Sequence, residues 1–316
     1  MKSSIQARIL FTVLCCTTSI ASATKLTEAV SSGELQQVQL LINKGADINQ
    51  AAGNHATPLL IAAQKGHLEV VKLLLAAKAG VNIARSDGST PLLMASENGH
   101  HEVVKLLLAA KADIDAVRKD GDTPLFKASQ KGHLEVVKLL LADKADVNKA
   151  EVNGVTPLLM AAQNGHPAVV KLLLAAKADV NQAAKNGITP LLMASQKGHS
   201  DVVVLLLAAK ADVNQAAKNG IAPLLMASQK GHSDVVVLLL AAKADVNQAA
   251  KNGVTPLYLA SQKGYIKIVE LLLATKVDVN AFIHVSGEGH ITARGIAILM
   301  GHNKIVELLE KHGAKK

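Results

Sequence analysis

The chain has no tryptophan, and aromatic residues make up only 2% of its 316 positions. A core must therefore be built from aliphatic side chains, and the stacking faces that grip single-stranded nucleic acid are scarce. Arginine is confined to Arg8, Arg85, Arg118 and Arg294, so lysine carries most of the net charge of +9. Interface hot spots draw on Trp, Tyr and Arg, which leaves little here for a tight, localised site. Cysteine occurs only as Cys15 and Cys16. Beyond residue 23 that excludes thiol catalysis, disulfides and thiolate metal sites. Beyond the N-terminus no apolar run is long enough to span a bilayer.

The first 23 residues differ from the rest. MKSSIQAR supplies Lys2 and Arg8, ILFTVLCC is a short apolar run, and TTSIASA ends in Ala21-Ser22-Ala23. A basic start, an apolar stretch and an A-x-A ending predict a secretory signal peptide over residues 1–23. Leu14 and Cys15 stand before the two cysteines, where a lipid-anchoring signal places a small residue. Cleavage after Ala23 would remove both cysteines and leave a thiol-free chain, which suits an oxidising compartment. The expected location is exported, either periplasmic or secreted, with no membrane span after cleavage.

The rest of the chain is a repeat. Residues 182–214 read QAAKNGITPLLMASQKGHSDVVVLLLAAKADVN, and residues 215–247 repeat them with Thr189 replaced by Ala222. The period is 33, marked by Thr57, Thr90, Thr123, Thr156, Thr189, Ala222 and Thr255. Such a period predicts a stacked array. Within a unit, Thr189-Pro190 predicts a helix start, with a capping hydroxyl and a proline in the first turn. Leu191, Leu192, Met193 and Ala194 form a short first helix that Gly198 ends. A second helix begins near His199, and its Val202, Val203, Leu205, Leu206 and Leu207 are apolar over an arc too wide for a lone unit to cover. ADVNQAAKNG, with Asn-Gly at its tip, predicts a polar hairpin-like finger. One position is unusual. Where a helix exit favours a left-handed glycine, this chain places Lys78, Lys111, Lys144, Lys177, Lys210, Lys243 and Lys276.

GITPLLMASQKGH, VVVLLL and KADVN closely resemble the ankyrin repeat, over nearly the whole chain after residue 23. The resemblance implies an all-α solenoid of stacked helix–turn–helix units with hairpin-like fingers. Two departures stand out. The family's histidine after T-P-L is Leu60, Leu93, Phe126, Leu159, Leu192, Leu225 or Tyr258 here, and its exit glycine is the lysine just described. Polar residues at the ends, Gln37 in the first unit and Glu310 in the last, fit capping units. The expected plan is about nine repeats over residues 24–316: an N-terminal cap at 24–49, seven inner repeats at 50–280 and a C-terminal cap at 281–316. The last finger, 281–291, carries extra residues and is expected to be a loosely ordered end.

No catalytic constellation is visible. His67, His100, His133, His166, His199, His232 and His302 form a ladder. Adjacent rungs stand about 8–10 Å apart, too far to share a metal whose bonds are about 2 Å, so each is expected to bond locally at its helix start. Met94, Met160, Met193 and Met226 fall in a first-helix packing slot. No enzyme, metal or cofactor is expected.

By resemblance, partner contacts fall on finger tips and the first-helix face. Those slots hold Lys185, Asn186, Ile188, Gln196 and Lys197, then Lys218, Asn219, Ile221, Gln229 and Lys230, then Lys251, Asn252, Gln262 and Lys263. Earlier units place Asp87, Glu97, Asp120 and Asp122 there, so the surface is expected to be basic toward the C-terminus and mixed toward the N-terminus. The function expected is a monomeric, exported, non-enzymatic scaffold for another protein with an acidic surface. The alternatives are binding of a nucleic acid or other polyanion, suggested by a pI near 9.4, and inhibition of a periplasmic or host enzyme. Nucleic acid is the less expected partner, for want of arginine and aromatics.

Overall fold

The computed structural model describes residues 25–315 except 52, 54 and 286–288. The expected signal peptide and both cysteines lie outside the described residues. The chain divides into two compact units, Met1–Val152 and Asn153–Lys316.

The first unit is a row of helix pairs: α1 (25–32) with α2 (Leu35–Asn43), α3 (Pro58–Lys65) with α4 (Leu68–Ala76), α5 (Pro91–Glu97) with α6 (His101–Ala109), and α7 (Pro124–Lys131) with α8 (Leu134–Ala142). The second continues the plan with α9 (Pro157–Gln163) and α10 (Pro167–Ala175), α11 (Pro190–Lys197) and α12 (Ser200–Ala208), α13 (Pro223–Lys230) and α14 (Ser233–Ala241), and α15 (Pro256–Lys263) and α16 (Ile266–Leu273). A hairpin, β1 (Phe282–Val285) and β2 (Gly289–Thr292), precedes the last pair, α17 (Ala293–Leu299) and α18 (Asn303–Lys311). Within each unit, first helices pack side by side, as do second helices. This stacking covers the inner part of the wide apolar arc: Val202, Val203 and Leu206 are at most 1% exposed. Burying each such side chain stabilises by about 1.5–3 kcal/mol, and only a neighbouring repeat makes it available.

The helix starts are built as the sequence predicts. Thr57, Thr90, Thr123, Thr156, Thr189 and Thr255 each accept the backbone N–H three residues on, at 3.1–3.3 Å. Ala222 makes no such bond. The residues that replace the family's histidine are all buried, from Leu60 at 0% to Tyr258 at 6% exposed. Five buried hydroxyls, of Ser96, Ser129, Ser195, Ser228 and Ser261, have no hydrogen-bond partner among the described residues. They occupy a slot that Ala63 and Ala162 fill elsewhere.

Three expectations need correction. First, the left-handed exit lysines are Lys78, Lys111, Lys144, Lys177, Lys210 and Lys243, with φ of 64–67°. Lys276 is not among them. Before it, Thr275 donates its hydroxyl to the Leu272 carbonyl at 2.6 Å. After it, Val277 stands where Ala79, Ala145, Ala178 and Ala244 are buried. Glycine holds the matching position at the first and last repeats, with Gly45 at φ 82° and Gly313 at φ 89°.

Second, six of the histidines reach across to a neighbouring repeat. His67, His100, His133, His199, His232 and His302 place Nε2 3.0–3.2 Å from a carbonyl oxygen of the preceding repeat. Each ring also lies on the glycine that ends that repeat's first helix. A Cβ at Gly198 would stand 2.7 Å from the His232 ring, so the Gly-His pair of the repeat is a joint between neighbours. Tyr265 takes the histidine's place over Gly231.

Third, part of the last finger is regular: β1 and β2 pair antiparallel, with Ile283 opposite Ile291 and His284 opposite His290, and residues 286–288 lie outside the described residues. Its period-2 pattern explains this. Ile283 and Ile291 pack against the core of Leu225, Tyr258, Leu259 and Ile296. On the exposed face, Phe282 lies 4.4 Å from the His290 ring centroid.

Candidate binding surface

The expected contact residues of the second unit begin at its fingers. Ala184-Lys185-Asn186-Gly187 is a tight turn, closed by Gly187 N–H donating to Ala184 O at 2.8 Å and Ala184 N–H donating to Ile188 O at 2.9 Å. Asn186 Oδ1 accepts the Ile188 N–H at 3.1 Å, which fixes the tip. Gly187 is left-handed at φ 84°, and a Cβ there would come within 2.8 Å of the Lys218 backbone nitrogen. That approach lets adjacent tips join: Lys218 N–H donates to Asn186 O and Lys251 N–H to Asn219 O, both at 3.0 Å. The lysine backbones are thus tied into a ladder, while Lys185, Lys218 and Lys251 remain exposed.

A second row lies on the first helices. Lys197, Lys230 and Lys263 are the last residues of α11, α13 and α15, all exposed. A cation there faces the negative end of the helix dipole. None of the six lysines makes an ion pair among the described residues.

The other expected contacts are partly engaged in the scaffold itself. Asn186 and Asn219 give a backbone carbonyl to the next finger. Asn219 and Asn252 repeat the side-chain bond to the tip, onto Ile221 and Val254. Gln196 and Gln262 supply the carbonyls that His232 and His302 meet. These glutamines and Gln229 are half-buried, as are Ile188 and Ile221, and Ile221 packs on the apolar cluster around Leu225. The lysines are therefore the freest part of the set.

In the first unit the same slots are tied up differently. Arg118 Nη2 lies 2.7 Å from Asp120 and 2.9 Å from Asp122. Lys127 Nζ lies 2.9 Å from Asp122 and 3.5 Å from Glu97. Arg85 pairs with Asp87. Lys127 and Asp122 are both buried, at 8% and 6% exposed. The Arg85 hydrogen bond, followed by backbone donation from Ser89, holds the Asp87 carboxyl well below the usual range. The Arg118 hydrogen bond lowers Asp120 in the same way. The acids expected to make this surface mixed are thus internally neutralised. Sequence reading missed Arg85, Arg118 and Lys127 as partners. The signal was present for one of them, because Lys127 falls in the slot of Met94, Met160, Met193 and Met226.

A family model described as ankyrin repeats (3 copies) matches in overlapping stretches from residues 26–118 to residues 224–316. The chain belongs to the ankyrin-repeat family. Ankyrin repeats generally mediate protein–protein interaction, and the proteins built from them are typically non-enzymatic scaffolds. No curated protein matches the chain closely enough to count as a relative. Among the described residues, no helix is long and apolar enough to cross a membrane.

Proposed function

We propose that this ankyrin-repeat protein is an exported scaffold, without catalytic activity or cofactor, that holds another protein against the lysine rows of its second unit. The partner presents an acidic surface. The observation that carries this reading is the contrast in charge pairing. Six lysines on the contact slots are exposed and, among the described residues, free of ion pairs, whereas the acids on the same slots of the first unit are paired with Arg85, Arg118 and Lys127. Unpaired charge at one pitch steers an oppositely charged partner and sets the salt dependence of binding.

The test is affinity capture with residues 24–316, followed by titration of the captured protein against a variant with Lys185, Lys197, Lys218, Lys230, Lys251 and Lys263 changed to Glu. Capture by the parent and loss by the variant is the expected result. Equal binding by both contradicts the lysine rows as the site. Capture of nucleic acid in place of protein would favour the polyanion reading.

The accompanying plan is a signal peptide at 1–23 followed by a monomeric array of nine repeats over 24–316, acting in the periplasm or outside the cell. N-terminal sequencing of the exported protein should begin at Thr24. A chain retained in the cytoplasm with residues 1–23 intact contradicts export.

A further inference from the structure

The row that ends Gln196-Lys197, Gln229-Lys230 and Gln262-Lys263 changes character at its next step. In the last repeat the same two slots hold Leu299 and Met300. α15 and α17 pack directly side by side, so this pair continues the lysine row. Leu299 is 65% exposed and Met300 49%. Met300's exposure is not a consequence of standing at the end of the row, because Lys197, Lys230 and Lys263 are exposed in repeats that a further repeat covers, while Leu299 takes the slot where Gln196, Gln229 and Gln262 are half-buried. Ile298 is different. It occupies the slot of Ser261, fully buried under the next repeat, and its exposure follows from its position at the end. Leu299 also lines a cavity of about 440 Å³ with Ile291, Ile298, Arg294 and Lys315. An exposed apolar pair that closes a row of lysines points to an interaction site rather than a solvated face.

We propose that the last repeat anchors the partner: Leu299 and Met300 receive a bulky apolar side chain at one end of an acidic segment, whose carboxylates lie along Lys263, Lys251, Lys230 and Lys218. This rests on the lysine rows being the binding surface. The occupant is set by charge and continuity. The row leading to the apolar pair is cationic in each repeat, and the cavity beside it adds Lys315, while Arg294 on its lining is paired with Glu310. Apolar contact gives the segment a fixed end and hence a register that repeated lysines alone cannot set.

The probes are short labelled peptides of Asp and Ser residues, carrying Trp-Leu at one end or the other, read by fluorescence anisotropy. The comparison peptide carries Ser-Ser in place of Trp-Leu. The protein variant is Leu299→Gln with Met300→Lys, which installs the residues the inner repeats already tolerate. The expected result is binding about tenfold tighter for one Trp-Leu peptide, the scale of one buried apolar side chain, with that advantage lost in the variant. Equal binding of the peptides with and without Trp-Leu overturns the anchor and leaves the lysine rows standing. An advantage that persists in the variant also overturns the anchor. Failure of every peptide to bind overturns both readings.

Discussion

Six lysines held at φ of 64–67° are the most strained residues of the repeat. A side chain in the left-handed region costs about 1–2 kcal/mol relative to glycine, and a cation at a helix C-terminus recovers only about 0.3–1 kcal/mol. Lys210→Gly should therefore raise stability only slightly, by about 0–1 kcal/mol after glycine's own entropy is counted, seen as an equal or higher Tm. A lower Tm would mean that the lysine stem and charge contribute more than the strain. The exit itself was legible from the sequence, since a helix must end before ADVN. That Lys276 escapes the left-handed region, beside a Thr275 hydroxyl that donates to Leu272 O, was not. The capping threonines offer a cleaner comparison. Thr189 Oγ1 accepts the Leu192 N–H at 3.1 Å, and Ala222, one copy later, cannot. Ala222→Thr should stabilise by about 1 kcal/mol, measured as a shift in the urea midpoint. An unchanged midpoint would show that the Leu225 N–H already finds another acceptor.

At the scale of elements, the joints between repeats do what no single helix pair can. Six second helices open with a histidine ring seated on the preceding glycine and bonded to the preceding repeat's carbonyl, as His232 is to Gly198 and Gln196. The period shows which positions are equivalent, but not which carbonyl 36 residues upstream a ring nitrogen will meet, so this joint could not be read from the sequence. The hairpin β1–β2 was missed for a related reason: Ile283 and Ile291 are ordered by the neighbouring repeat's core. The first unit adds a test of its ion pairs. The folded-state pKa values of Asp87 and Asp120 are depressed, first by their arginine hydrogen bonds. Their contribution is therefore fully present above the ordinary carboxylate value of about 4 and is lost as pH falls below it. Thermal melts between about pH 5 and pH 2 should show a loss that is smaller in an Asp87→Asn, Asp120→Asn variant. Parallel curves for the two proteins would show that these pairs carry no acid-sensitive stability.

Across the whole molecule, a strict period made the fold legible, because one repeat's pattern of capping threonine, glycine stop and apolar second helix recurs in the inner units, with Ala222 the one loss of the cap. The binding surface was legible only in outline. Resemblance named the slots, and the sequence showed lysine in them, but whether a charge is free or neutralised depends on what folds against it. Lys127 is buried against Asp122 and Glu97, while Lys197 and Lys230, on matching first helices, are exposed and unpaired. The same limit hid Leu299 and Met300, whose exposure is a property of the packed array. The central claim is that position, and not net charge, makes the lysine rows a site. Two variants separate these. One changes Lys185, Lys197, Lys218, Lys230, Lys251 and Lys263 to Glu. The other changes the exit lysines Lys78, Lys111, Lys144, Lys177, Lys210 and Lys243 to Glu, an equal change in net charge. In titrations of the captured partner at fixed salt, the first should lose affinity by about a hundredfold or more, the scale of several broken charge pairs, while the second stays close to the parent. Equal losses in both would contradict the account and reduce the surface to bulk electrostatics.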